Sequence, residues 1–315
     1  MNEEIQNQQP TPEEKHEERK PFSTLSPVTT AFIALIGIFL LYQVGGAILT
    51  LAIFGLHFEK ADINAARMLT MGGQIMLILL PTLILANRVY HHNTSYILRM
   101  KFPHFKEIAV FVIGLLLLTP LLQTFLSLQN FILQKFANTF PLVKKITDFL
   151  DQIDKLVDST YSSMLTSHSA FETSFIIFVV AVIPALCEET LFRGLVQKSF
   201  EQKFKPFWSI FITAVFFGIY HFNPYGLVAL ISLGIYFGYA AYMSDSIFVS
   251  MTLHFLNNLV SVLAFIILGN EDLIKSAAVQ SYHFIPQLIT FIMFALLFFT
   301  YMAFVKKNYH RLVSK

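Results

Sequence analysis

The sequence predicts an all-α fold, a polytopic membrane helix bundle of about eight transmembrane helices. Apolar residues make up 55% of the 315 residues and charged residues only 13%, against about 25% charged residues in ordinary soluble domains. Apolar runs of roughly 20 residues, the length that crosses a bilayer, recur along the chain. A soluble protein of this size could not bury so much apolar surface, whereas a bilayer accommodates it.

Eight segments have the composition of membrane spans, and only the fifth of them is short. They leave no room for a soluble domain, and they contain no visible internal repeat. We therefore expect a single transmembrane domain over residues 28–305. The eight segments are Val28–Leu56, Met68–Ala86, Ile108–Leu126, Phe171–Phe192, Phe207–His221, Tyr225–Met243, Ile247–Leu268 and Phe284–Val305.

The segments outside the spans predict the orientation of the chain. Residues 1–27 are rich in Glu, Gln and Pro, which is typical of a disordered tail, and their acidic start excludes a secretory signal. Lys and Arg concentrate in residues 88–106, 198–205 and 306–315. An even number of spans puts these segments and both termini on one side, which the positive-inside rule makes cytoplasmic. We expect a multi-pass protein of the inner (plasma) membrane with two cytoplasmic tails, disordered at 1–27 and basic at 306–315.

The long loop between the third and fourth spans carries apolar residues at helical spacing, with Asp and Lys between them. This pattern predicts an amphipathic helix that lies on the membrane or against the bundle. It fits a surface helix that packs on the spans, and it also fits a lid over a site. The apolar residues are Ile146, Phe149, Leu150, Ile153, Leu156 and Val157.

Ionisable side chains inside the spans are few and grouped. Burying such a group in hydrocarbon costs several kcal/mol, so it usually pairs or functions. The centres of the first three spans and of the eighth contain no comparable acidic or imidazole cluster. The group comprises Glu188, Glu189 and Arg193 on the fourth span, His221 on the fifth, and His254, Asn257 and Asn258 on the seventh.

The two adjacent glutamates are expected to have different partners. Glu188 and Glu189 differ by about 100° around a helix, so they face different neighbours. Glu189 lies one turn before Arg193, which favours a structural ion pair. The turn between the fourth and fifth spans centres near Phe204, and Glu188 and His221 are almost equally far from it. An antiparallel hairpin therefore brings Glu188 and His221 to the same depth.

These residue types are typical of hydrolytic chemistry without a nucleophilic side chain. A carboxylate beside an imidazole, Glu188 with His221, can activate water or bind a metal. His254 and Asn258 share one face of a helix and can supply donors for a developing oxyanion. The combination predicts a peptide hydrolase.

Three motifs in this group resemble the signatures of one family. The run EETLFRG at Glu188–Gly194 resembles the EExxFRG motif of the CPBP intramembrane proteases. FGIYH at Phe217–His221 matches the FxxxH motif of that family, and HFLNN at His254–Asn258 matches its HxxxN motif. The family includes the type II CAAX prenyl endopeptidases and the bacteriocin-processing and immunity (Abi) proteins. The resemblance covers residues 171–268 in the expected order.

The resemblance implies an intramembrane endopeptidase whose site lies inside the helix bundle. It implies that Glu188 and His221 activate the attacking water and that His254 and Asn258 stabilise the oxyanion. The substrate would be a membrane-associated protein or peptide, lipidated in some members, with membrane lipids as further partners. The formal net charge of +2 gives no indication of nucleic-acid binding. The supporting residues would be Glu189, Arg193 and Phe217.

The cofactor follows less directly from the motifs. The family is commonly labelled a metalloprotease, and a metal-free glutamate mechanism has also been argued for it. Glu188, His221 and His254 would suit zinc with one open position. We favour the metal-free mechanism, because zinc-binding histidines usually have a partner on their other ring nitrogen, and the sequence identifies none.

Other interpretations of the residues stay open at this point. A transporter or channel also needs ionisable groups in the membrane, although the inverted repeats or paired broken helices of transporters are not visible. A non-catalytic membrane scaffold or immunity protein would keep the fold without the chemistry. An intramembrane histidine can also be a simple interhelical hydrogen-bonding group. Asn257 is interpreted as the plain neighbour of Asn258, and Cys187 as a small packing residue.

The orientation gives a testable prediction. Single cysteines introduced in both tails and in the 88–107 loop of a Cys187→Ala protein should react with a membrane-impermeant maleimide only from the cytoplasmic side. Labelling of both tails from outside intact cells would contradict the orientation. Along an ideal helix Glu188 lies about 24 Å from the Phe204 turn, and we expect the stretch Arg193–Lys205 to project beyond the bilayer.

Overall fold

The computed structural model describes residues 23–56, 62–268 and 284–314, and this part of the chain folds into helices without a β-strand. Most of the predicted tail at 1–27 lies outside the described residues. The main helices are α1 (Pro27–Phe54), α2 (Ile63–Tyr90), α3 (Phe105–Thr139), α4 (Pro141–Leu165), α5 (Ala170–Glu201), α6 (Pro206–Tyr220), α7 (Leu227–Ser244), α8 (Ile247–Leu268) and α9 (Phe284–Val313).

The helices confirm the all-α polytopic bundle that the sequence predicts. In the described part of the chain, seven helices are long and apolar enough to cross a membrane, namely all those named except α4 and α6. α6, the short fifth span, has 15 residues and a strongly apolar surface. The last helix runs on to Val313, so the basic segment that begins at residue 306 continues the helix over most of its length.

The amphipathic segment between the third and fourth spans forms α4, as the periodicity predicts. Its C-terminal end is fixed by Arg67 of α2, whose guanidinium is fully buried and donates to the carbonyls of Met164, at 3.0 Å, and Thr166. Its middle is held by the Tyr225 hydroxyl, which donates to the Asp151 carboxylate. Tyr225 lies in the turn between α6 and α7, so α4 is tied to the turn that also contains His221.

Helix α5 is the central element of the bundle. One apolar cluster joins it to α1, α2 and α6, and a second cluster joins α3, α7, α8 and α9. Two π-helical turns, Phe178–Val182 and Thr190–Val196, lie on either side of Glu188. Turns of this kind are rare in ordinary helices and are frequent at functional sites.

A row of polar side chains spaced four residues apart connects α5 to α7. Arg193 donates to the Gly234 carbonyl at 3.1 Å, and Gln197 donates to the Gly238 carbonyl at 2.9 Å. Gly238 permits the second of these contacts, because a Cβ at this position would lie 2.7 Å from the Gln197 carboxamide oxygen. The hydrogen bond from Gln197 therefore depends on glycine at this helix contact.

The row ends in an ion-pair cluster near the basic loops. The buried Arg99 guanidinium pairs with Glu201 and donates to the Ala241 carbonyl at 2.7 Å. Lys198 pairs with Asp245 at 2.8 Å. Arg193 and Gln197 are 0% exposed inside the bundle, and the projection of Arg193–Lys205 beyond the bilayer stays a prediction. The charged and amide ends of these side chains have partners inside the bundle, although the Arg99 Nε, Arg193 Nε and Gln197 Oε1 atoms are buried without a hydrogen-bond partner among the described residues.

Candidate active site

The predicted site residues meet at a cavity of about 440 Å³ that is enclosed by α1, α2, α4, α5, α6, α7 and α8. Glu188, His221, His254 and Asn258 all line it. Its other lining residues include Leu165 at the end of α4 and Asn223 in the turn after α6. The cavity therefore lies toward the end of the bundle that bears α4, opposite the end with the basic segments.

Glu188 and His221 face each other across the α5–α6 hairpin. Glu188 Oε2 lies 3.9 Å from His221 Nε2, which is too long for a direct hydrogen bond and suits a bridging water. Among the described residues, Glu188 Oε2 has no hydrogen-bond partner although it is buried. His221 Nδ1 lies 2.7 Å from the Phe217 carbonyl. A carbonyl can only accept, so Nδ1 carries the proton, and Nε2 of a neutral ring presents its lone pair to the cavity.

One carboxylate oxygen of Glu189 accepts hydrogen bonds from two side chains. Arg193 donates to Glu189 Oε1 at 2.8 Å, as the four-residue spacing predicts. His254 Nδ1 lies 2.9 Å from the same oxygen, a contact between α5 and α8 that the sequence did not indicate. Glu189 and Arg193 are fully buried and His254 is 3% exposed. Because the carboxylate accepts, His254 donates from Nδ1 and turns Nε2 away from Glu189.

Three aromatic rings surround the Arg193 guanidinium. Its centre lies 4.3 Å from the Phe217 ring centroid, 5.4 Å from that of Phe237 and 5.8 Å from that of Phe192. Such contacts stabilise a desolvated cation. The Phe217 ring also meets both imidazoles nearly edge-on, at 4.7 Å from His221 and 5.8 Å from His254. Phe217 thus contacts every ionisable side chain of the motifs except the two glutamates.

Asn258 is fixed by a defect in the neighbouring helix. Its Nδ2 donates to the Val180 carbonyl of α5 at 3.1 Å. Pro184 lies four residues after Val180 and has no N–H, so it cannot supply the usual helical donor to that carbonyl. Asn257 donates to Asn258 Oδ1 at 3.3 Å and also lines the cavity. Asn257 is therefore more than the plain neighbour that the sequence suggested, since it orients the Asn258 carboxamide.

Each of the two histidines has a partner on its Nδ1 atom, as a zinc-binding histidine usually does. The candidate zinc ligands, however, are not grouped closely enough to bind one metal ion. The Phe217 carbonyl and the Glu189 carboxylate engage the two Nδ1 atoms, so the reason for which we favoured metal-free chemistry no longer applies. Within the described residues, however, no three His, Cys, Asp or Glu side chains are grouped to hold a metal ion. The arrangement of Glu188, His221 and His254 does not fit zinc as it stands.

The helices that precede α5 contribute cavity residues that the motif analysis missed. Tyr42 of α1 and Gln74 of α2 line the cavity, and so does Tyr161 of α4. These side chains are uncharged, so a search for intramembrane acids and imidazoles passes over them. A glutamine in the middle of an apolar span is the one signal that would have identified Gln74, because a buried carboxamide requires hydrogen bonds.

Cys187, the residue before Glu188, is fully buried in the cluster that joins α5 to α1 and α2. It does not line the cavity. The packing role suggested by the sequence agrees with this position.

Comparison with known proteins identifies one family. Residues 170–260 match the family model described as Rce1-like, type II CAAX prenyl endopeptidase Rce1-like. No curated protein and no solved structure matches the chain. The matched segment contains all three motifs and confirms the resemblance. It supports a CAAX-type intramembrane endopeptidase that acts on a membrane-associated protein, and with the apolar helices it indicates an integral membrane protein.

The buried group formed by Glu189, Arg193 and His254 gives a prediction for stability. Glu189→Gln leaves Arg193 without a counter-charge in an apolar interior, and loss of one partner of a buried ion pair costs about 3–5 kcal/mol. We expect a markedly lower thermal midpoint for this variant in detergent. Glu188→Gln, at an oxygen without a hydrogen-bond partner, should leave the midpoint nearly unchanged and is the matched control. Equal midpoints for Glu189→Gln and wild type would show that the pair does not hold the fold.

Proposed function

We propose that this protein is an intramembrane endopeptidase that hydrolyses a peptide bond with a water activated by Glu188 and His221. The observation that carries the proposal is the facing pair of acceptors, Glu188 Oε2 and His221 Nε2, 3.9 Å apart in a cavity lined by a second, carboxylate-bound imidazole. One water can donate a hydrogen to each acceptor. Such a water is oriented with its oxygen lone pair toward the substrate.

The reaction proceeds by general-base attack of this water. Glu188 takes one proton, and the water oxygen forms a bond to the carbonyl carbon of the substrate. The carbonyl electron pair moves to the oxygen, which becomes the oxyanion. When this intermediate collapses, the C–N bond breaks and the proton held by Glu188 passes to the leaving nitrogen. His221 Nε2 accepts a hydrogen bond from the remaining O–H of the attacking water, and donation from its Nδ1–H to the Phe217 carbonyl keeps the ring in the required tautomer.

His254 and Asn258 are the donors to the oxyanion. Asn258 has two N–H groups, of which one is used by the Val180 carbonyl. The His254 ring donates to Glu189 through Nδ1, so its second donor must be a protonated Nε2. The Glu189 carboxylate stabilises the imidazolium, in the same way as the carboxylate of a catalytic triad supports its histidine. Glu189 is then a positioning residue, and its pairing with Arg193 is only part of its role.

The balance of charge supports this assignment. With His254 as imidazolium and His221 neutral, two carboxylates, Glu188 and Glu189, face two cations, Arg193 and His254. The four charges sum to zero in an interior where an unbalanced charge is costly. The negative charge that develops on the substrate oxygen is then transferred from Glu188, whose own charge is neutralised as it accepts the proton.

The substrate reaches the site from the end of the bundle that bears α4. The cavity extends from the level of Glu188 toward Leu165 and Val262, and the distribution of Lys and Arg makes this end extracytoplasmic. On the basic side, the polar row from Arg193 to Arg99 fills the interior. The proposed substrate is therefore a peptide segment of a membrane-associated protein presented from outside.

The first test is activity. Purified wild-type protein in detergent should cleave members of a fluorescent octapeptide library, and Glu188→Gln should lose at least about 10³-fold in rate, because it removes the general base. Glu172→Gln, on the same helix but outside the cavity, serves as the matched control and should retain full activity. Assays with and without a chelator, with elemental analysis, decide whether a metal participates. Cleavage by Glu188→Gln at the wild-type rate would exclude Glu188 as the general base.

The second test concerns the oxyanion. Asn258→Ala should lower kcat by about 10²–10³-fold with little change in KM, because the donor acts on charge that exists only in the transition state. Asn257→Ala disturbs the orientation of Asn258 without removing its donor, and should lower kcat less. An Asn258→Ala variant with normal turnover and a raised KM would instead make Asn258 a group that binds the ground state.

A further inference from the structure

A buried carboxamide on α2 is the feature that the proposed chemistry does not use. Gln74 is 8% exposed and lines the cavity that contains Glu188, His221 and His254. Within the described residues its Oε1 atom has no hydrogen-bond partner. A buried carbonyl oxygen without a donor is costly, because it has given up water and gained nothing in return. Such a group in a cavity wall is a candidate for binding a ligand donor.

The residues around Gln74 place its carboxamide in the cavity wall, next to Tyr42. Gly73, the residue before it, packs beside the Tyr42 ring, whose Cε2 atom would be in ordinary contact, at 3.8 Å, with a Cβ at this position. The Tyr42 hydroxyl lies beside the Gln74 side chain and also lines the cavity. One turn earlier, Thr70 lines the same wall, but its hydroxyl donates to the Ala66 carbonyl of its own helix. Gln74 is therefore the polar group that α2 offers to the cavity with an uncommitted oxygen.

A peptide is the ligand whose donors match this oxygen. The attacking water already has two acceptors in Glu188 and His221, and the substrate carbonyl is directed to His254 and Asn258. The main-chain N–H groups that flank the scissile bond have lost water on entering the cavity and require an acceptor. Gln74 Oε1 supplies one from the wall formed by the first half of the chain, away from the matched segment 170–260.

We infer that the Gln74 carboxamide binds the main chain of the substrate, accepting one peptide N–H and so selecting which bond lies over Glu188. This inference rests on the proposed function, because it assigns the ligand of the same cavity. It makes Gln74 a substrate-binding and register-setting residue that lies outside the three motifs. The first two spans then determine specificity, and the matched segment supplies the chemistry.

The experiment tests whether the effect of changing the Gln74 side chain and the effect of methylating one peptide nitrogen are additive. The probe is a fluorescent octapeptide that wild type cleaves, prepared as a series in which each nitrogen is methylated in turn. Gln74→Met keeps the size of the side chain and removes the acceptor, and it should raise KM for the parent peptide by about tenfold, the worth of one hydrogen bond. Thr82→Val is the matched control on the same helix, because the Thr82 hydroxyl donates to the Ile78 carbonyl and lies outside the cavity lining, and it should leave KM unchanged.

We expect methylation of one particular nitrogen to raise KM for wild type. The same methylation should not raise the already higher KM of Gln74→Met. The cleavage site should also shift in the variant. A structural role for Gln74 would lower the thermal midpoint without this non-additivity. An unchanged KM for Gln74→Met, or additive effects at every nitrogen, would overturn the inference while Glu188-dependent cleavage still supports the proposed function.

Binding separates the two hypotheses when no cleavage occurs. If wild type cleaves no library member, the proposed function fails, and the octapeptide pool is titrated onto Glu188→Gln protein by fluorescence anisotropy. About tenfold weaker binding after Gln74→Met, with no change after Thr82→Val, would support Gln74 as a peptide-binding residue. Equal binding with and without the Gln74 change, or no binding at all, would overturn it.

Discussion

The contact on which the remaining structure depends is the fully buried set formed by Glu189, Arg193 and His254. A guanidinium cannot lose its charge, so once Arg193 is inside the bundle it must be surrounded by compensating groups. The Glu189 carboxylate, the Gly234 carbonyl and the faces of three phenylalanines provide them. Meeting this requirement fixes the distances of α6, α7 and α8 from α5. The same geometry leaves Glu188, one residue earlier, directed at His221.

The two adjacent carboxylates lie in different environments on one helix. Glu189 is fully buried and accepts from two donors on one oxygen, Oε1. Glu188 is partly exposed to the cavity, and its Oε2 has no donor in the described part of the chain. Their difference in direction, about 100° around the helix, is sufficient to place them in these two environments. Removing the charge of either residue should therefore have very different consequences.

The sequence predicted what depends on local periodicity and on composition. Hydropathy located the spans, helical periodicity located α4, and four-residue spacing identified the Glu189–Arg193 pair. The hairpin symmetry around Phe204 brought Glu188 to His221. The His254–Glu189 contact could not be predicted, because it joins residues 65 positions apart on helices whose rotation is set by packing. The missing N–H of Pro184 was visible in the sequence, but only the packing of α8 on α5 reveals that Asn258 uses the freed carbonyl.

The polar row makes the two halves of α5 different from each other. Arg193, Gln197 and Glu201 succeed one another at one-turn intervals on α5 and bind α7 or Arg99, so this half of the helix is committed to packing. Toward α4 the same helix contains Pro184 and a π-helical turn, and its carbonyls and side chains become available to the cavity. The packing therefore differs on the two sides of Glu188, although a π-helical turn lies on each side. The side toward the basic segments is fixed by hydrogen bonds to α7, while the side toward α4 borders the cavity.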